Sequence, residues 1–436
     1  MRRRIVATLC LFILLLITFN SCNRTSNPDW QYSQVYKPAN SIQQFTTTVH
    51  GLDVLENDTF APLQGKSVAI LTNQSGVNRN GEHILDIIAQ AEGVELKVIF
   101  APEHGLAGKA SAGEKVADTE DASSGVKVYS LYGETKKPTP EQLSGVDVVL
   151  VYAQHAGARY YTGPNTMTLV MEACAENNIP IWVLDRPSPI RGDIVDGPNL
   201  DMAYASFVGM HPVAVRHGLT LGELAIMINE EGWLGDSLYA DLTVVPVVNW
   251  KRDMWWEETG LEWVKSSPNM PSPETALAYL GTCLFEGTNV SEGRGTYEPF
   301  LICGAPWIKE GLADILNDYH LPGVVFEDII YTPRSIEGAT NPKYLDEECK
   351  GVRLKTTNRD IFQPIQTGVV MIHTIFNNYA EQFEWKHQRH FDRLWGSDAL
   401  RLYIDEGSDI HAHASTYAQD REYFEEQRRK YLIYEE

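Results

Sequence analysis

The chain is predicted to be an α/β protein built around a doubly wound parallel sheet. Short apolar, β-rich runs alternate with helical patterns from Gly51 to about Glu231, and strand-helix alternation builds parallel βαβ units. Each main run also ends in a polar cluster, and in an open parallel sheet the carboxyl ends of the strands line one shared crevice. Residues far apart in sequence therefore converge there.

The first of these strands is expected over Ser67 to Leu71, with Thr72, Asn73 and Gln74 at its tip. Helical spacing of Ile84, Leu85, Ile87 and Ile88 follows within Glu82 to Glu92. A second strand begins at Val98 and ends at Pro102, Glu103, His104 and Gly105. Val146 to Tyr152 forms another, tipped by Gln154 and His155, and Thr166 to Asn178 follows as a helix through Met167, Val170, Met171 and Cys174. Ile181 to Leu184 then leads into Asp185 and Arg186. After a loop-like stretch at Asn229 to Asp241, the run from Leu242 to Val248 is expected to open a second region. That region holds Trp250, Trp255, Trp256 and Trp263, a turn-rich Ser266 to Pro273, and a glycine-rich loop from Phe285 to Gly295. The tryptophans suit core packing better than a sugar platform. Tyr417 to Lys430 reads as a charged amphipathic helix.

At 436 residues the chain is too long for one ordinary core. The expected division is 1–21 as signal peptide, 22–49 as lipidated cysteine and tether, 50–240 as the first subdomain and 241–436 as the second. Met1 to Arg4 followed by apolar Ile5 to Phe19 has the form of a secretory signal, and Ser21-Cys22 resembles a bacterial lipobox. An acylated Cys22, with a polar tether from Asn23 to about Ser41, would hold a folded unit on a membrane surface in the periplasm or cell envelope; an ordinary cleaved signal is the alternative. A net charge of −22 argues against nucleic acid as partner. Of six cysteines, Cys10 would be removed with the signal; Cys174, Cys283, Cys303 and Cys349 have no metal-binding spacing, although a Cys283–Cys303 bridge is compatible with an oxidising compartment. No metal is expected. The dinucleotide glycine fingerprint is absent after the first strand, where Asn73-Gln74-Ser75-Gly76 stands instead, so no cofactor is expected either.

Glu103 is the leading candidate for acid/base work, because a carboxyl on a strand-end turn can take a raised pKa in a partly apolar pocket. Capping of the following segment is its structural alternative. His104 stands beside it. Gln154, His155, Arg159 and Tyr161 belong to a run at another strand end that combines an amide, a guanidinium and two phenols, a combination suited to a sugar or a carboxylate-bearing sugar. Arg159 would equally suit a salt bridge to Asp185, and Asp185 and Arg186 would suit an ion-paired turn. Glu286, Asn289, Glu292 and Arg294 lie in the glycine-rich loop, where a carboxylate could complement Glu103 as two-carboxylate glycosidases require, or Glu292 and Arg294 could pair with each other.

Leu71 to Val77, Pro102 to Gly105, Val128 to Pro140, Val183 to Pro187, Pro268 to Pro271 and Glu286 to Gly295 resemble the exo-β-N-acetylmuramidase NamZ family over about residues 50 to 436. The resemblance implies a Rossmann-like subdomain joined to a second α/β or α+β subdomain, with the site in the cleft between them. It implies exo-removal of N-acetylmuramic acid from muramyl glycans or muropeptides, with Glu103 as the catalytic residue. Where the family carries two strand-end aspartates, this chain has Ala153 and His155, while Gln154, Arg159 and Tyr161 match. Arg159 is expected to read the lactyl carboxylate of that sugar. Two functions follow: a glycosidase acting on muramyl glycans, or a catalytically weakened lipoprotein that binds muropeptides or another acidic amino sugar, suggested by Ala153 and His155.

Overall fold

The computed structural model describes residues 30–38 and 45–435. The expected signal peptide, Cys10 and Cys22 lie outside the described residues. The strands are β1 Ser33–Val35, β2 Lys66–Thr72, β3 Val94–Ala101, β4 Thr119–Glu120, β5 Lys127–Ser130, β6 Val148–Tyr152, β7 Ile181–Leu184, β8 Asp196–Asn199, β9 Ala214–Arg216, β10 Leu242–Val245, β11 Ile302–Ala305, β12 Val324–Tyr331 and β13 Cys349–Thr356. The α-helices are α1 Gly51–Asn57, α2 Ile84–Gln90, α3 Thr162–Asn177, α4 Leu221–Glu230, α5 Pro273–Thr282, α6 Leu312–Asn317, α7 Pro364–Asn378, α8 Gln388–Trp395, α9 Ala399–Asp405 and α10 Ala418–Arg428.

Eight strands form the main sheet in the order β1-β10-β7-β6-β2-β3-β5-β4. All neighbours are parallel except β4 against β5. Alternation along β2 explains why both faces are covered: Val68 and Ile70 join one apolar cluster, while Ala69 and Leu71 join another. Leu52, Val54 and Leu55 of α1 and Ile84, Leu85 and Ile88 of α2 cover the first face. Met167, Val170, Met171 and Cys174 of α3, with Leu224, Ile226 and Ile228 of α4, cover the second. The result is a three-layer α/β/α unit.

Two sequence expectations are corrected here. Leu242–Val245 does not open a second region: β10 pairs with β7 and completes the parallel sheet, so the preceding loop is the return from α4 within one βαβ unit. The expected tether is also partly structured, since β1 adds to the edge strand β10, and Glu230 accepts from the amides of Gln31 and Tyr32.

The second half is α+β, with β11, β13 and β12 forming an antiparallel sheet. Its core joins Leu277, Leu280 and Leu284 with Val369, Ile372 and Phe391. The chain end returns to the first half: Phe424 of α10 and Tyr431 are buried in the sheet's second cluster, and the Tyr434 hydroxyl donates to Asp185 Oδ2 at 2.5 Å. Cys174, Cys283, Cys303 and Cys349 are buried free thiols, so the Cys283–Cys303 bridge is absent. Trp250, Trp255 and Trp256 are buried, as packing residues should be.

Candidate active site

Connectivity decides where a site forms. From β2 the chain proceeds outward through β3 to β5, then crosses back to β6 on the opposite side of β2 and continues to β7 and β10. The loops leaving β2 and β6 therefore diverge, opening a crevice at the carboxyl ends of the central strands. A cavity of about 300 Å³ lies there, lined by Asn73 after β2, Glu103 and His104 after β3, and Ala153 and Gln154 after β6. Ser266, Glu286, Arg294 and His390 supply walls from later in the chain.

Glu103 sits on a tight turn. The Gly105 amide bonds to the Pro102 carbonyl, and His104 and Gly105 both adopt left-handed φ angles of 72° and 73°. That region is costly for histidine and free for glycine, which accounts for the glycine that follows. The carboxylate is gripped rather than embedded in an apolar pocket. Glu103 Oε1 accepts from the Gly113 amide at 2.9 Å, Oε2 accepts from the Thr162 hydroxyl at 2.7 Å, and the Tyr132 hydroxyl also bonds to it. Burial and the Glu103 charge together push the Tyr132 phenol well above its usual range, so it stays a donor. His104 Nδ1 lies 2.6 Å from the Ala110 carbonyl, which only accepts, so Nδ1 carries the proton and Nε2 offers a lone pair. Burial lowers the His104 pKa, against the opposing pull of Glu103, and keeps the ring neutral near pH 7.

A charged relay forms the facing wall. Arg294 donates to Glu286 at 2.8 Å and lies 3.4 Å from Glu292, which in turn accepts from Lys343 at 2.9 Å. Burial pushes the Glu286 carboxyl up, but Arg294 and His390 outweigh it and bring its pKa down to about 2. Glu286 is thus an anion at any working pH. Among the described residues no cluster of histidine, cysteine, aspartate and glutamate is arranged to hold a metal.

Comparison with known proteins places this geometry in a family. The model described as "Exo-beta-N-acetylmuramidase NamZ, N-terminal" matches residues 68–274, and its C-terminal counterpart matches residues 277–434. The chain belongs to the NamZ family. It is 42% identical over 429 residues, 98% of this chain and 99% of the relative, to the peptidoglycan beta-N-acetylmuramidase NamZ of Bacillus subtilis (strain 168). Crystal structures of two DUF1343 family proteins from Bacteroides fragilis NCTC 9343 also match, each 33% identical and covering 90% of this chain and 100% of theirs, with TM-scores of 0.82 and 0.74. The two NamZ models meet between residues 274 and 277, after β10 rather than before it.

Not every residue that the sequence marks as a candidate reaches the cavity. Glu103, His104, Asn73, Gln154, Tyr161, Glu286 and Arg294 line it. Asn73 Oδ1 accepts from the Ser75 amide and hydroxyl, and Gln154 is spent on the His155 and Pro187 carbonyls and on Arg186, so both shape the floor. Burial raises the Tyr161 phenol to about 12, with bonds to Ser266 and Ser267 opposing that rise.

Arg159 departs from expectation. It is buried and donates to the carbonyls of Pro198, Val213, Leu394 and Trp395, so it faces neither the cavity nor Asp185. His155 is likewise buried, stacked on His217 with ring centroids 6.1 Å apart, and burial takes its pKa to about 4. Asp185 and Arg186 form no ion-paired turn. Asp185 accepts from Thr220 and the Gly222 amide at the start of α4, while Arg186 turns to Gln154 and the Ser75 and Val77 carbonyls. Asn289 exchanges hydrogen bonds with the backbone of Gln382 and Glu384, and Glu292 stands behind Arg294 rather than in the cavity. Tyr132, Thr162 and His390 were not singled out from sequence. Tyr132 lies within the Val128 to Pro140 run that resembles the family, and Thr162 lies just past the strand-end cluster at Gln154 to Tyr161; His390, in the first turn of α8, carries no sequence signal.

Proposed function

We infer that the protein is an exo-acting glycoside hydrolase that removes N-acetylmuramic acid from the non-reducing ends of peptidoglycan fragments. The observation that carries this reading is Glu103, held by three donors at the switch-point cavity of a NamZ chain. In this reading Glu103 protonates the departing glycosidic oxygen and then accepts a proton from the water that attacks the anomeric carbon. Glu286, fixed as an anion by Arg294, supplies the charge that offsets the positive character of the sugar ring in the transition state. Neutral His104 accepts from a substrate hydroxyl through Nε2. Thr162 and Tyr132 keep the Glu103 carboxyl aimed. The buried His155 is part of the scaffold, and the short Ala153 lines the cavity.

The test is release of chromophore from a β-N-acetylmuramic acid glycoside by purified protein. Glu103→Gln preserves shape but removes the proton donor, and its turnover should fall at least about 10²-fold. Near-normal turnover by that variant would remove Glu103 from the mechanism. No release by the wild type would favour a sugar-binding lipoprotein instead. The N-terminal segment is proposed to direct the chain to the cell envelope, with Cys22 acylated and the folded unit held at a membrane surface.

A further inference from the structure

A muramyl substrate brings a carboxylate to a pocket that already contains Glu103 and Glu286, and a free cation beside that pocket would favour its capture. Arg159 is consumed by four carbonyls. Arg294 is committed to Glu286 and Glu292. Lys136, on the loop after β5, is different. Its Nζ lies 3.8 Å from the centre of the Phe207 ring and 5.5 Å from that of Tyr132, and the two rings stand 5.8 Å apart. Tyr132 lines the cavity and bonds to Glu103, while Phe207 precedes Val208, another lining residue. The aromatic pair therefore holds an ammonium beside the lining residue Tyr132 without neutralising it. Neighbouring Lys137 is taken by Glu172 and Glu176. Among the described residues no carboxylate pairs with Lys136, and the side chain is exposed.

We propose that Lys136 is a specificity residue that binds a carboxylate of the substrate at the mouth of the pocket. The carboxylate is that of the lactyl group when the sugar is free of peptide, or one on the peptide stem when the lactyl group is amidated. The inference rests on the glycosidase reading above. Because Lys136 touches Tyr132 rather than Glu103, its loss should weaken capture of the acidic sugar and leave the chemical step alone.

The experiment compares wild type, Lys136→Gln and Lys136→Arg on three chromogenic N-acetylmuramic acid glycosides: the free acid, its neutral lactyl amide, and a form carrying an L-alanyl-D-glutamate stem. Lys136→Gln should raise KM about fivefold or more on a carboxylate-bearing substrate with kcat little changed, the loss expected for a partly exposed charge pair. The neutral amide should be unaffected, and arginine should restore most of the loss. A defect on the free acid identifies the lactyl carboxylate as the partner; a defect confined to the stem-bearing substrate identifies the peptide. Equal kinetics for Lys136→Gln and wild type on both acids, or an equal defect on the neutral amide, would overturn the proposal. If the wild type cleaves none of the three, the glycosidase reading fails by itself. Calorimetric titration of wild type and Lys136→Gln with N-acetylmuramic acid, its amide and the sugar carrying the L-alanyl-D-glutamate stem still decides the role of Lys136, and equal affinities of the two proteins for both acids would end it.

Discussion

Replacing Arg159 by methionine should cost stability and leave sugar selectivity intact. The guanidinium donates to Pro198 at 2.7 Å, Val213 at 2.8 Å, Leu394 at 3.1 Å and Trp395 at 2.6 Å. Leu394 and Trp395 end α8, where the last carbonyls of a helix have no partner within it, so Arg159 caps a helix more than 200 positions away in sequence. Four hydrogen bonds from a charged donor, at about 1.5–3 kcal/mol each, would sum to about 6–12 kcal/mol if they were additive. They are not, because burial of the guanidinium opposes them; the same burial lowers its pKa to about 10. The net loss should resemble removal of one partner from a buried charged pair, about 3–5 kcal/mol. Methionine keeps an unbranched stem in the same buried space, so the loss reports the guanidinium. Urea unfolding followed by circular dichroism gives the stability change. The ratio of rates on N-acetylmuramic acid and N-acetylglucosamine glycosides, measured well below the transition, gives selectivity. Unchanged stability with a selective loss on the acidic sugar would show that Arg159 reaches substrate and would refute this reasoning.

Two further outcomes are expected. Burial raises Asp185 from 3.8 to about 6 against its three donors, so the folded state binds a proton more tightly than the unfolded state between those values. Stability from this group is therefore lost as pH rises through that window, by up to about 3 kcal/mol, and Asp185→Asn should flatten the slope of unfolding free energy against pH there; equal slopes in both proteins would exclude Asp185 as the source. For the N-terminus, cells fed a clickable fatty acid should label the wild-type chain and fail to label Cys22→Ala, whereas label retained on that variant would place any acylation elsewhere.

The tips of the central strands were legible in the sequence for a topological reason. Once β2, β3 and β6 are parallel neighbours, Asn73, Glu103 and Gln154 must share one edge of the sheet whatever the details of packing. The same logic stops one residue later. Asp185 and Arg186 directly follow β7, where successive side chains point in opposite directions, so one meets the start of α4 and the other reaches the loop after β2. An ion pair between sequence neighbours was excluded by geometry that charge pattern does not encode. The apolar run at Leu242 could not reveal which sheet it joins, because a buried strand looks alike in either. Arg159 illustrates the deeper limit. A guanidinium near a strand end has the same signature whether it meets a ligand or four carbonyls, and only the docking of α8 decides between them. His390 enters the pocket through that same docking. The two halves of the site thus have different origins: the connectivity of the sheet fixes the wall that carries Glu103, and packing of the second half against it fixes the wall that carries Glu286, Arg294 and His390. Substitutions in the α8 interface that leave every lining residue in place should therefore alter catalysis by displacing one wall relative to the other.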